Sequence, residues 1–122
     1  MGARILVVDD APAIRRSLRL YLEQEAGWVI CGEAENGKVA VERVQELRPD
    51  VVILDLSMPV MNGLDAARAI RAIAPATHIL MFTLHTYPHL SDEAQKVGID
   101  QVLSKADSAA AELLQAVRTL VH

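Results

Sequence analysis

Five short stretches that are mostly apolar at consecutive positions constrain this chain more than any other feature. They are Ile5–Val8, Trp28–Cys31, Val51–Leu54, His78–Phe82 and Gln101–Leu103. Each has the length of a strand, and the first is rich in β-branched residues. A strand with one face in water alternates apolar and polar residues, whereas a strand covered on both faces does not. The pattern therefore predicts strands of a parallel sheet sandwiched between helices.

Amphipathic segments separate these runs. Ile14, Leu18, Tyr21 and Leu22 fall on one helical face, with Pro12 in the first turn and Gly27 closing the segment. After Gly37, a second helix carries Ala40, Val41, Val44 and Leu47, and Pro49 stops it. A third runs from about Leu64 to Ala74, with Ala67, Ile70 and Ile73 inward. The fourth carries Leu90, Ala94 and Val97 before Gly98. The fifth is expected to begin near Ser108 as N-cap and to carry Leu113, Leu114, Val117 and Leu120. Strand followed by helix, five times over, predicts an α/β fold with a single open five-stranded parallel sheet and helices on both faces. Residues 1–122 read as one domain without repeats, low-complexity segments or linkers, so any output domain is expected beyond residue 122.

Composition narrows the function. A chain of 122 residues buries roughly two-thirds of its unfolded surface and needs no disulfide or metal to fold. No apolar run approaches the ~20 residues that span a bilayer. Met1-Gly2-Ala3-Arg4 passes directly into the first apolar run, without the features of a signal peptide. A cytoplasmic protein away from membranes is the expectation. Cys31 has no partner for a disulfide and suits a reducing compartment, where it reads as a buried small hydrophobe. A net charge of −4 argues against nucleic-acid binding by this segment, which calls for clustered Lys and Arg.

The polar residues at the strand ends carry the chemistry. Asp9 and Asp10 follow the first run, Asp55 the third, Thr83 the fourth and Lys105 the fifth. A parallel sheet gathers all of these at one rim, where such sheets bind their ligands. One aspartate at a strand end is usually a turn residue or a helix cap; five such positions together point to a site. Three neighbouring carboxylates do not all stay charged without a cation. Mg²⁺ fits, as a hard ion that takes one or two carboxylates and keeps several waters. Lys105 and Thr83 add a positive charge and a hydroxyl suited to phosphoryl oxygens. The set reads as a carboxylate nucleophile flanked by charge stabilisers, as in phosphoryl transfer.

Val7-Val8-Asp9-Asp10, Asp55-Leu56-Ser57-Met58-Pro59 with Met61 and Gly63, then Thr83 and Lys105, resemble the signature of response regulator receiver domains of two-component systems. The resemblance covers essentially the whole chain. Its Asp55–Leu64 segment is most similar to receivers joined to a LuxR-type DNA-binding domain. The resemblance implies a (βα)5 flavodoxin-like fold and a phosphorylation-dependent switch rather than an enzyme. Asp55 would accept the phosphoryl group from a sensor histidine kinase or a small acyl phosphate. Asp10, Asp55 and the backbone carbonyl of Ser57 would hold Mg²⁺, with Asp9 reaching it through water. Lys105 and Thr83 would contact the phosphoryl oxygens, and Pro59 and Gly63 would shape the loop after Asp55, with glycine admitting backbone angles other residues avoid. Output, and a possible homodimer, would use the face made by the fourth helix, fifth strand and fifth helix.

Two positions depart from the family pattern. Val102 stands where a rotating Tyr, Phe or His is usual, and Leu84 follows Thr83 where a small residue is common. Coupling would then run through Leu84–Pro88, with Tyr87 its nearest aromatic. These departures keep open a degenerate receiver that binds partners without phosphorylation. A phosphohydrolase with an aspartyl-phosphate intermediate is the other alternative, but it would need an acid where Ser57 stands. Two decoys fall away. Gly32–Lys38 approximates a phosphate-binding loop but continues with Val39 instead of Ser or Thr, so it reads as a strand-to-helix loop. His85 and His89 are four apart with Pro88 between them, so a loop is expected there rather than a metal-binding helix.

Overall fold

Apolar residues at consecutive strand positions need cover on both faces, and the fold supplies it. A computed structural model describes residues 2–106 and 110–121. Along the chain run β1 (Ala3–Val8), α1 (Pro12–Leu22), β2 (Trp28–Ala34), α2 (Gly37–Leu47), β3 (Val51–Leu54), α3 (Gly63–Ile73), β4 (His78–Thr83), α4 (Leu90–Lys96), β5 (Gln101–Ser104) and α5 (Ala110–Val121). The five strands form one parallel sheet in the order β2-β1-β3-β4-β5. This is the open, doubly wound fold that the periodicity predicts. Strand residues alternate between two cores. Leu6, Val8, Val52, Leu54 and Met81 pack beneath α2, α3 and α4. Ile5, Val7, Ile53, Leu80 and Leu103 pack beneath α1 and α5. Each such side chain contributes roughly 1.5–3 kcal/mol on burial.

Several boundaries differ from the sequence reading, for local reasons. Strand β2 runs three residues past Cys31, because Leu6, Val7 and Val8 pair with Gly32, Glu33 and Ala34. The register slips between Ile5 and Leu6, leaving Cys31 unpaired at a bulge. Cys31 is consequently half-buried rather than buried, with its Sγ 3.5 Å from the Ile5 carbonyl. Helix α1 ends at Leu22 with Glu23 as its cap, well before Gly27, whose φ of 85° serves the turn into β2. The expected N-cap Ser108 lies outside the described residues.

The chain order reverses at β1, which lies between β2 and β3, and that switch point opens a crevice at the carboxyl ends of the strands. Val8 pairs with Leu54, and the Asp55 N–H donates to the Val8 carbonyl at 3.0 Å. Asp9 and Asp55 therefore leave neighbouring strands at the same level. Asparagines cap the starts of α2 and α3: the Asn36 side chain accepts from Val39 N and the Asn62 side chain from Asp65 N, each at 2.9 Å.

Gly63 is held for space. Its N–H donates to the Leu56 carbonyl at 2.8 Å, and a Cβ there would stand 2.2 Å from the Asp55 carbonyl oxygen. Gly63→Ala should destabilise the fold by about 1–3 kcal/mol, as overpacking does, although alanine is normally the better helix residue. Urea unfolding should show a lower midpoint at an unchanged slope; a midpoint equal to or above the parent's would contradict this contact.

Candidate functional site

The crest of the sheet brings together the acids singled out in the sequence. Asp9, Asp10 and Asp55 place carboxylate oxygens within 4.8 Å of one another. They line a cavity of about 250 Å³ with Ser57, Leu84, His85 and Lys105. A larger recess, about 650 Å³, opens at the opposite end of the sheet beside Asp50, Thr77 and His78. It holds none of the rim acids.

The three acids differ in what engages them. Asp9 is buried; its Oδ1 accepts from Ala11 N at 2.9 Å and its Oδ2 from Lys105 Nζ at 2.5 Å. Asp10 is exposed, and no hydrogen bond engages its side chain among the described residues. Asp55 is buried, with Oδ1 accepting from Leu56 N at 2.8 Å and Oδ2 lying 3.6 Å from Lys105 Nζ. Burial pushes the Asp55 carboxyl above its ordinary range; Lys105 opposes this, Asp9 adds to it, and the Thr83 hydroxyl and Leu56 N–H lower it. In this state Lys105 is committed to Asp9 more than to Asp55. Its ammonium also lies 5.9 Å from the Phe82 ring centroid. Thr83 is fully buried, and its Oγ1 accepts from His85 N at 3.1 Å. That bond fastens the start of the β4–α4 loop to the site.

Two expectations require correction. Gly63 does not have a positive φ; it is packed against the Asp55 backbone, and the left-handed residue of the loop is Val60, at φ 69°. Met61 N donates to the Pro59 carbonyl at 2.7 Å across Val60, closing a three-residue turn that a β-branched residue adopts only under strain. The segment Gly32–Lys38 is strand through Ala34 and helix from Gly37, so its loop is only Glu35 and Asn36, with no room for a phosphate cradle. The histidines are dispersed as expected: His78 Nδ1 lies 3.6 Å from Asp100 Oδ2, whereas His85 lines the acidic cavity and His89 precedes α4. Sequence reasoning missed Arg15, which joins the Asp9 carbonyl to Glu33. Helical spacing alone cannot show that contact.

A phosphorylation-dependent signalling switch is the class of protein that this fold and crevice define. The sequence matches the response regulator receiver domain family over residues 5–118, and the chain belongs to that family. The chemotaxis protein CheY of Thermotoga maritima is 40% identical over 105 residues, which span 86% of this chain and 87% of that protein. The transcriptional regulatory protein YdfI of Bacillus subtilis is 40% identical over 106 residues, but this chain spans only 49% of its length. The crystal structure of a LuxR-family two-component response regulator from Aurantimonas sp. superposes with a TM-score of 0.94 at 34% identity, covering 99% of this chain and 86% of that one. Among the described residues, no helix is long and apolar enough to cross a membrane.

The raised Asp55 carboxyl has a consequence for metal-free protein. A carboxyl raised in the folded state favours folding below its unfolded value, and that contribution is lost as pH rises through the folded value. Asp55→Asn should therefore melt at a higher temperature than the parent in chelator near neutral pH, with the gap narrowing toward the acid range. Scanning calorimetry across pH checks this, and equal melting temperatures throughout would show that Asp55 carries no strain of charge.

Proposed function

We propose that Asp55 is the phosphoacceptor of this receiver and that its chemistry depends on Mg²⁺. The observation that carries this reading is the unequal engagement of the three acids. Asp9 is committed to Lys105 and the Ala11 N–H, whereas Asp10 is exposed and unengaged beside Asp55. Asp10, Asp55 and the Ser57 carbonyl would hold the ion directly and Asp9 through water, an oxygen-rich set of the kind Mg²⁺ takes. The ion supplies neutralisation of charge on the transferring phosphoryl group.

An Asp55 carboxylate oxygen attacks phosphorus, a P–O bond forms, and the donor's imidazole or acyl oxygen leaves with the electrons of the broken bond. Lys105 turns from Asp9 to the new phosphoryl oxygens, and the Thr83 hydroxyl donates to one of them. The His85 N–H to Thr83 Oγ1 bond carries that movement into Leu84–Pro88. Tyr87 ties this loop to α4, its hydroxyl donating to Glu93 Oε2 at 2.6 Å. Val102 is half-buried against the α4-side core and has no ring to swing, so this loop is the better conduit. The donor is a sensor histidine kinase, and the output face is α4–β5–α5, which would also serve a homodimer. The domain itself acts in signalling in the cytoplasm and turns over no external substrate beyond its own phosphorylation and dephosphorylation.

With acetyl phosphate and Mg²⁺, intact-mass analysis should show one added phosphoryl group, absent in Asp55→Asn. Equal labelling of that variant would refute the assignment. Leu84 lines the cavity and is 60% exposed, so its side chain stands at the entrance. Leu84→Ala should speed labelling by acetyl phosphate in a stopped-flow or quenched time course; an unchanged rate would show that the side chain does not obstruct the donor.

A further inference from the structure

Arg15 reaches from α1 to the backbone of the acidic turn. Its NH1 donates to the Asp9 carbonyl at 2.6 Å, and its Nε to Glu33 Oε1 at 3.0 Å. The other Glu33 oxygen, Oε2, accepts from Arg19 Nε at 3.0 Å and Arg19 NH2 at 2.8 Å. Both oxygens of Glu33 are thereby occupied, and Arg19, with burial opposing and Arg15 assisting, holds its carboxyl below the ordinary range. The Arg15 side chain is only 17% exposed, so its planar fork is confined between two acceptors. On the other side of the same residue, Asp9 N donates to the Ala34 carbonyl at 3.1 Å. Strand β2 thus grips Asp9 twice, directly through its N–H and through Glu33 and Arg15 at its carbonyl.

That carbonyl belongs to the peptide unit joining Asp9 to Asp10. Its plane, with the Ala11 N–H to Asp9 Oδ1 bond across Asp10, helps set where the Asp10 Cα–Cβ bond points, and no hydrogen bond or ion pair holds the Asp10 side chain itself among the described residues. We propose that Arg15 is a positioning residue, which fixes the Asp9–Asp10 peptide so that Asp10 faces Asp55, with Glu33 and Arg19 anchoring it from the edge of the sheet. This rests on the reading of Asp10 as a direct Mg²⁺ ligand. Two descriptions of Arg15 then differ in sign. As a mere positive charge near three carboxylates, it repels a cation, and its removal should tighten Mg²⁺ binding. As a positioning residue it orders a ligand, and its removal should weaken binding, as loss of outer partners of metal ligands does.

The test is calorimetric titration of the whole chain with Mg²⁺, beside thermal melting of the same samples. Arg15→Ala should weaken Mg²⁺ binding by about tenfold or more. Arg15→Lys, which keeps the charge and the helix, should also weaken it, because one ammonium cannot serve Glu33 and the Asp9 carbonyl at once. A lower melting temperature with Mg²⁺ affinity unchanged or tightened in both variants would overturn the proposal and leave Arg15 a staple between α1 and β2. Asp10→Asn separates the layers. If it binds Mg²⁺ like the parent, the metal reading fails and the positioning role with it. If it abolishes binding while both Arg15 variants bind normally, the positioning role alone fails.

Discussion

Like charges held side by side at the ends of adjacent strands are the constraint around which this domain is arranged. The pairing of Val8 with Leu54 forces Asp9 and Asp55 to the same level, and carboxylate oxygens of Asp9, Asp10 and Asp55 come within 4.8 Å of one another. At that range each pair of charges repels by roughly 1–4 kcal/mol, depending on exposure to water. Burial pushes the Asp55 carboxyl upward, and Asp9 adds a smaller contribution of the same sign. Lys105 offsets part of the repulsion through its contact with Asp9. The rest persists as an attraction for whatever positive charge enters the cavity. A site that is strained when empty and relaxed when a cation and a phosphoryl group are in place favours ligation over the apo state.

Most of the architecture was legible because parallel strands covered on both faces leave an uninterrupted apolar signal. All five strands and the apolar faces of the helices followed from it, and the rim acids, Thr83 and Lys105 were found by asking what stands just past each run. Boundaries were less legible where they depend on a partner strand. The extension of β2 to Ala34 comes from pairing with Leu6–Val8 across a bulge at Cys31, and no local property of Gly32 or Glu33 announces it. Asn36 and Asn62 carry an N-cap signal, since each immediately precedes a helix, but the glycine that follows each reads equally well as part of a turn.

Roles within the site were harder to assign than membership. Gly63 invites a conformational explanation, but the reason for it is the proximity of the Asp55 carbonyl, a distance between two segments that no one-dimensional pattern encodes. Val60, a β-branched residue, carries the left-handed conformation instead. Arg15 and Arg19 read as ordinary polar positions of an amphipathic helix, and Glu33 as an acid of a strand-to-helix loop. Their connection appears only when α1 is laid across β2. Family resemblance implies roles for residues in the motif and is silent about Arg15, Arg19 and Glu33, whose contacts run up to it.

The contact between Gly63 and Asp55 also determines where mechanical freedom remains. On one flank, the Asp55 peptide is bonded to β1 through its N–H and abutted by the first turn of α3 at its carbonyl, so the Asp55 backbone stands against a hard stop. On the other flank, residues 84–89 are all exposed, and the Thr83 hydroxyl bonds to the start of that segment. A group added to Asp55 cannot press the backbone backward into α3. A displacement there would meet less resistance toward β4, so the rigidity of one loop would confer a direction on the compliance of the other.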